Sequence, residues 1–134
     1  MPVQSPFFDK TYMVSELAAA LSQSDITILT LPLTEQTRHM FDTAMFSKMK
    51  KGSILINVSR GAVIREEDLA QAVACGHLSG AALDVFEEEP LSIKSPLWNM
   101  ERVIITPHNS FVSDNTSKRL FGVIYENLKK HFIQ

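Results

Sequence analysis

Three times along this chain an apolar run passes directly into ionisable residues, and helical segments separate the runs. Ile54-Leu55-Ile56 leads through Asn57-Val58-Ser59 to Arg60 and Gly61. Ala81-Ala82-Leu83-Asp84-Val85 leads into Phe86-Glu87-Glu88-Glu89-Pro90, and Val103-Ile104-Ile105-Thr106 leads into Pro107-His108. Strands that alternate with helices predict an α/β fold with parallel strands. In an open sheet of that kind, ligands bind at the carboxyl ends of the strands, where Arg60, Asp84, Glu89 and His108 all stand. A guanidinium at such a site is an anion clamp, and a carboxylate beside an imidazole is an acid/base pair.

The remaining segments fit the same frame. A helix starts at Ser15 (or Met13-Val14), runs through Leu17, Ala18 and Leu21, and ends over residues 22–25. Residues 25–31 read as a strand stopped by Pro32, and residues 34–41 as a loop or a single turn. Asp42 or Thr43 caps a short helix carrying Met45, Phe46 and Met49, which Lys51-Gly52 ends. Strand 53–58 precedes a helix from Glu66 to Ala74, with Leu69, Ala72 and Val73 on one face and Cys75-Gly76 at its end. Strand 79–85, a loop over 87–101 anchored by Trp98, and strand 102–106 follow. From about Ser113 a long amphipathic helix runs to Phe132. Leu120, Ile124 and Leu128 recur every fourth residue, beside Phe121 and Val123, and are expected to face inward. Asp114 suits its start, and Lys129, Lys130 and His131 suit its carboxyl end.

Composition narrows the function classes. A chain of 134 residues is expected to form one domain, 1–134. A net charge of -2 with no dominant basic patch argues against nucleic acid or an anionic membrane as partner. Lys48, Lys50 and Lys51 are read as complementing a helix end. The one cysteine, Cys75, excludes a disulfide framework and suits a reducing, cytoplasmic setting. The first ten residues lack a leader pattern, and no apolar run is long enough to cross a bilayer. His39, His77 and His131 lack metal-ligand spacing with one another or with Cys75 and are read as structural or exposed. Met40, Met45 and Met49 read as core packing. Residues 1–12, with Pro2 and Pro6, read as an irregular entry.

Taken singly, these site residues have bland readings. Arg60 could sit on the surface, His108 in a solvated loop, Glu87 to Glu89 on a solvated face, and Asp84 in a simple turn. Taken together, the motifs resemble the D-isomer-specific 2-hydroxyacid dehydrogenase family. The resemblance is carried by Leu31-Pro-Leu-Thr-Glu-Gln-Thr37, Asn57-Val-Ser-Arg-Gly61, the segment Gly80 to Pro90, Pro96-Leu-Trp98 and Thr106-Pro-His108, in the family's order. It covers about residues 10 to 132. It implies a partial Rossmann-like, doubly wound sheet of mostly parallel strands. It also implies a D-2-hydroxy acid or 2-oxo acid as small-molecule substrate, and NAD or NADP as cofactor, with NAD slightly favoured. By resemblance Arg60 grips the substrate, His108 is the acid/base, and Glu89 pairs with His108. Cofactor contacts are implied at Leu31, Pro32, Val58, Ser59, Arg60, Asp84, His108 and Ser110. Phe111 departs from the family pattern, which has a smaller residue there.

The family's dinucleotide site also uses a G-x-G-x-x-G turn. None of the five glycines, Gly52, Gly61, Gly76, Gly80 and Gly122, lies in such a run. The chain is therefore expected to be the carboxyl-terminal portion of an NAD(P)-binding domain, with no separate substrate domain and little activity by itself. Strand 25–31 then forms an apolar edge, expected to pair with another chain as a homo-oligomer. A non-catalytic binding module of the same fold, or an inactive truncated product, is the alternative.

Overall fold

The computed structural model describes residues 6–132. The amino-terminal part of the predicted irregular entry, residues 1–5, lies outside them. The elements follow the expected order, with shorter strands. A short 3-10 turn, Val14–Glu16, leads into α1 (Leu17–Gln23), then β1 (Ile26–Leu29), α2 (Thr43–Phe46), β2 (Ile54–Asn57) and α3 (Glu66–Ala74). These are followed by β3 (Gly80–Leu83), a 3-10 turn at Pro96–Asn99, β4 (Val103–Ile105) and α4 (Thr116–Phe132). The four strands form one sheet in the order β1-β2-β3-β4, and every pairing is parallel.

Local chemistry explains the boundaries. The Asp42 side chain accepts from the Met45 amide at 2.9 Å and caps α2. Gly52 and Gly76 carry φ values of 84° and 74°, a left-handed conformation that suits glycine where α2 and α3 give way to the next strand. Glu66, Glu67 and Asp68 fill the first turn of α3, where the helix dipole favours negative charge. Ser95 caps the 3-10 turn, and the Trp98 indole donates to the Ser92 carbonyl at 2.9 Å, which is the expected loop anchor.

The register separates the two faces of the sheet. Leu29, Leu55, Ala81 and Leu83 are buried and join Leu21, Phe41, Phe46, Met49, Leu69, Val73, Leu78 and Leu97 in one core. Met40 and Met45 pack against it, so the predicted core methionines are all there. Full burial of a leucine such as Leu55 or Leu69 contributes about 1.5–3 kcal/mol. The residues that alternate with these point the other way. Ile26 (55% exposed), Ile28 (58%), Ile54 (38%) and Ile104 (65%) leave that face open. Among the described residues the sheet is therefore covered on one side only, where a doubly wound sheet has helices on both.

The same observation corrects the expectation for α4. Leu120, Ile124 and Leu128 do not face inward: they are 59%, 49% and 51% exposed, and no residue of α4 is buried. The period does form a helix with one apolar stripe, but among the described residues nothing covers that stripe. Phe111 is exposed as well, at 68%. No helix of the described residues is long and apolar enough to cross a membrane.

Candidate active site

The parallel register brings the ends of β2, β3 and β4 to one edge of the sheet, and the turns that leave them are tightly made. At the end of β2, Asn57 is fully buried. Its carbonyl oxygen accepts from the Ser59 amide at 3.0 Å and the Ser59 hydroxyl at 2.8 Å, and its amide nitrogen donates to the Arg60 carbonyl at 3.1 Å. Asn57 thus shapes the turn Val58-Ser59-Arg60. Ser59 is buried, Val58 stays partly exposed, and Arg60 points into solvent with one guanidinium nitrogen on the Ser59 carbonyl at 2.7 Å. Arg60 forms no ion pair among the described residues.

At the end of β3, Asp84 is buried and its carboxylate organises the turn after β4. It accepts from the Thr106 hydroxyl, from the Asn109 amide at 2.9 Å and from the Ser110 amide at 2.9 Å. Burial works to raise the Asp84 carboxyl, but the hydrogen bonds from Thr106, Ser110 and Asn109 outweigh it and hold the group well below the usual carboxylate range. Between Thr106 and Asn109 in the chain lies His108, whose backbone adopts φ 51°. Left-handed backbone is uncommon outside glycine, and here it turns the imidazole back toward the loop after β3.

That loop supplies the partner. Glu89 Oε2 lies 2.8 Å from His108 Nδ1, and Glu89 Oε1 accepts from the Phe86 amide at 3.0 Å. The hydrogen bond with His108 is the main influence that lowers the Glu89 carboxyl, with the Phe86 amide assisting and burial opposing. With Nδ1 held by Glu89, the other ring nitrogen, Nε2, is left without a bond among the described residues, free to exchange a proton. Glu89 and His108 border a mostly apolar cavity of about 610 Å³, lined also by Phe86, Leu91, Trp98 and Ile105.

The structure therefore joins Glu89 to His108 and Asp84 to Ser110, and sets Arg60 on a neighbouring strand end without contact to either pair. Leu31 is half-buried against the core, and the Pro32 carbonyl accepts from the Thr37 hydroxyl at 2.8 Å, which closes the turn after β1. Sequence reasoning missed the parts played by Asn57 and Thr106. Their signal was available: a short polar side chain at a strand end, followed by a turn, is where side chain–backbone bonding is expected. It also treated Glu87 as a solvated member of an acidic run, whereas Glu87 pairs with His39 at 2.8 Å. His77 is structural as expected, with Nε2 2.9 Å from the Phe46 carbonyl. No group of three or more potential metal ligands occurs among the described residues.

The family model described as "D-isomer specific 2-hydroxyacid dehydrogenase, NAD binding domain" matches residues 3–110. The (S)-sulfolactate dehydrogenase of Chromohalobacter salexigens is 37% identical over 97% of this chain and 42% of its own length. Glyoxylate/hydroxypyruvate reductase B of Salmonella paratyphi B is 41% identical over 84% of this chain and 35% of its own. Among solved structures, a probable 2-hydroxyacid dehydrogenase from Rhizobium etli, in complex with NADP, HEPES and L(+)-tartaric acid, superposes with a TM-score of 0.84 at 34% identity. It covers 98% of this chain and 42% of that one. The chain thus spans about two-fifths of the length of the relatives it matches.

Proposed function

From the premise that the chain belongs to the D-isomer specific 2-hydroxyacid dehydrogenase family through its NAD binding domain, we propose that it carries the catalytic half of an NAD(P)-linked dehydrogenase site. The reaction is interconversion of a D-2-hydroxy acid and a 2-oxo acid. The observation that carries the reading is the 2.8 Å pairing of His108 Nδ1 with Glu89 beside a largely apolar cavity.

The chain's own groups divide the work. Arg60, exposed and without an anionic partner among the described residues, holds the substrate carboxylate by two parallel hydrogen bonds, which suits a planar guanidinium. His108 Nε2 takes the hydroxyl proton in oxidation and returns it in reduction, while Glu89 on Nδ1 orients the ring and fixes its tautomer. The apolar surface of Leu31, Pro32 and Val58 at the ends of β1 and β2 suits the uncharged face of a cofactor, and the Asp84–Ser110 pair stands at the end of the next strand, β3. When bound, the nicotinamide supplies or accepts the hydride.

Both NAD and NADP stay compatible with these residues. The relatives named glyoxylate/hydroxypyruvate reductase and sulfolactate dehydrogenase point to small, anionic 2-oxo or 2-hydroxy acids. The absence of a G-x-G-x-x-G run from the sequence supports reading the chain as the carboxyl-terminal portion of the cofactor domain. The pyrophosphate then lacks its helix terminus within this chain. β1 is an edge strand of the sheet, paired only to β2 among the described residues, which supports association through that edge with another strand, as in a homo-oligomer. The one cysteine is free, in keeping with a reducing, cytoplasmic setting.

The test is turnover of glyoxylate and hydroxypyruvate with NADH and NADPH by the expressed protein. Arg60→Ala and His108→Ala are each expected to lower kcat/KM by roughly 10²–10⁴. Turnover in both variants unchanged from the unaltered chain would sink the reading. The missing glycine turn favours a second reading, in which the chain binds without catalysing. Calorimetric titration with both cofactors separates the two: no binding up to millimolar cofactor supports the second, and micromolar binding supports a working half-site.

A further inference from the structure

The loop that presents Glu89 to His108 is pinned at a second point on its far side. Glu87, two residues earlier, takes part in a three-segment clasp. Its carboxylate accepts from the Glu66 amide at 2.9 Å and lies 2.8 Å from His39 Nε2, and its own amide donates to the Glu66 carboxylate. His39 comes from the turn after β1, Glu66 from the first residue of α3, and Glu87 from the exit of β3.

The rest of the geometry is built around this meeting. His39 carries φ 51°, a conformation a non-glycine residue holds only when its surroundings enforce it. Its amide donates to the Ala62 carbonyl at 2.8 Å, and the next residues bond across to Val63 and Arg65 through Phe41. Burial raises the Glu66 carboxyl, the hydrogen bond from the Glu87 amide opposes this, and the Glu87 charge adds to it. Glu87 and Glu89 line different cavities. Glu87 and Glu88 line a cavity of about 460 Å³ together with Arg65, Glu66 and Lys94, and Glu89 lines the cavity beside His108. The two grips fall on consecutive peptide units, the Phe86 amide belonging to the unit just before the one whose amide Glu66 holds. The Phe86–Glu87 segment that the clasp grips also bears the Phe86 amide that holds Glu89 Oε1.

We infer that Glu87, gripped by His39 and Glu66, is a positioning residue: it fixes the Phe86–Glu87 peptide so that Glu89 meets His108. The clasp touches no reacting atom and acts through Glu89. The inference rests on the reading of Glu89 and His108 as a functional pair, but not on turnover.

The test is carbon-detected NMR titration of the Glu89 carboxyl in the purified chain. In the unaltered chain it titrates below the ordinary Glu range. Glu87→Ala is expected to move the Glu89 midpoint upward while the fold persists. Glu87→Gln, which keeps an acceptor for the Glu66 amide, recovers most of the difference, and Glu88→Ala leaves the midpoint unmoved. Should Glu87→Ala fail to fold, Glu66→Ala removes the acceptor of the Glu87 amide and reads the same upward shift. An unmoved Glu89 midpoint in folded Glu87→Ala or Glu66→Ala overturns the inference and leaves the Glu89–His108 pair standing. A Glu89 midpoint already in the ordinary range in the unaltered chain overturns the pair and the inference together. A clasp that served stability alone would lower the unfolding midpoint without moving Glu89.

Discussion

Gly61 lies so close to the main chain of Phe86 that a Cβ built on it would stand 1.8 Å from the Phe86 carbonyl carbon and 1.9 Å from its oxygen. The contact joins the turn that carries Arg60 to the loop that carries Glu89. Backbone cannot yield as a flexible side-chain tip can, so Gly61→Ala must push the two segments apart. A cost of about 3 kcal/mol is expected, read as a lower urea midpoint at unchanged slope. The displacement also carries Arg60 away from the His108 side, so residual activity in the folded fraction should fall.

Asn57 is buried and satisfies three groups of the turn after β2. Asn57→Ala leaves the Ser59 amide and hydroxyl without this partner, and the Arg60 carbonyl with the Val63 amide alone. The expected loss is about 2 kcal/mol in urea unfolding. Ser59→Ala removes one of those bonds and is expected to cost less.

Asp84 makes an acid-stability prediction with a definite sign. Its folded-state carboxyl is held below its unfolded value, so the stability it supplies is fully present above the unfolded pKa of about 3.9. That contribution is lost as pH falls from there toward the folded value, because the unfolded chain takes up a proton that the native one refuses. Asp84→Asn should therefore be less stable than the unaltered chain at neutral pH. It should also lose stability less steeply below about pH 4, by about one proton in the slope. Parallel slopes in the two proteins would contradict the assignment.

Arg60→Lys preserves charge and removes the planar fork. If Arg60 holds a carboxylate by two hydrogen bonds, KM for the 2-oxo acid should rise by roughly tenfold or more, with kcat also reduced. A variant with unchanged KM would show that Arg60 contributes only a point charge.

The two apolar helices should respond oppositely to truncation. Leu69 in α3 is fully buried, and Leu69→Ala is expected to cost about 2–5 kcal/mol. Leu128 in α4 is 51% exposed, and Leu128→Ala is expected to stay within about 0.5 kcal/mol in the same chain. Equal losses would mean that the α4 stripe is covered in solution.

Much of the site could be read from residue order. The three apolar runs ending in Arg60, Asp84 with Glu89, and His108 were legible because strand alternation and turn residues are local, and because parallel sheets put strand ends together. The Asp42 cap, the glycine ends of α2 and α3 and the Trp98 anchor were local signals too. The outward lie of α4 was not legible. A 3.6-residue period shows that a helix has an apolar face, but not whether anything is present to cover it.

By itself the sequence determined the element order, the parallel α/β class, the family and the residues offered at the strand ends, since propensity, spacing and motif chemistry act over a few neighbours. Tertiary structure alone decided three things. It chose which face of the sheet is open. It bonded Asp84 to Asn109 and Ser110 rather than to a local turn. It also clasped His39, Glu66 and Glu87 behind the loop that carries Glu89. Those pairings join residues 21 to 48 positions apart. Their geometry follows from sheet register and from close backbone approach, as at Gly61, and neither is written in any single stretch of chain.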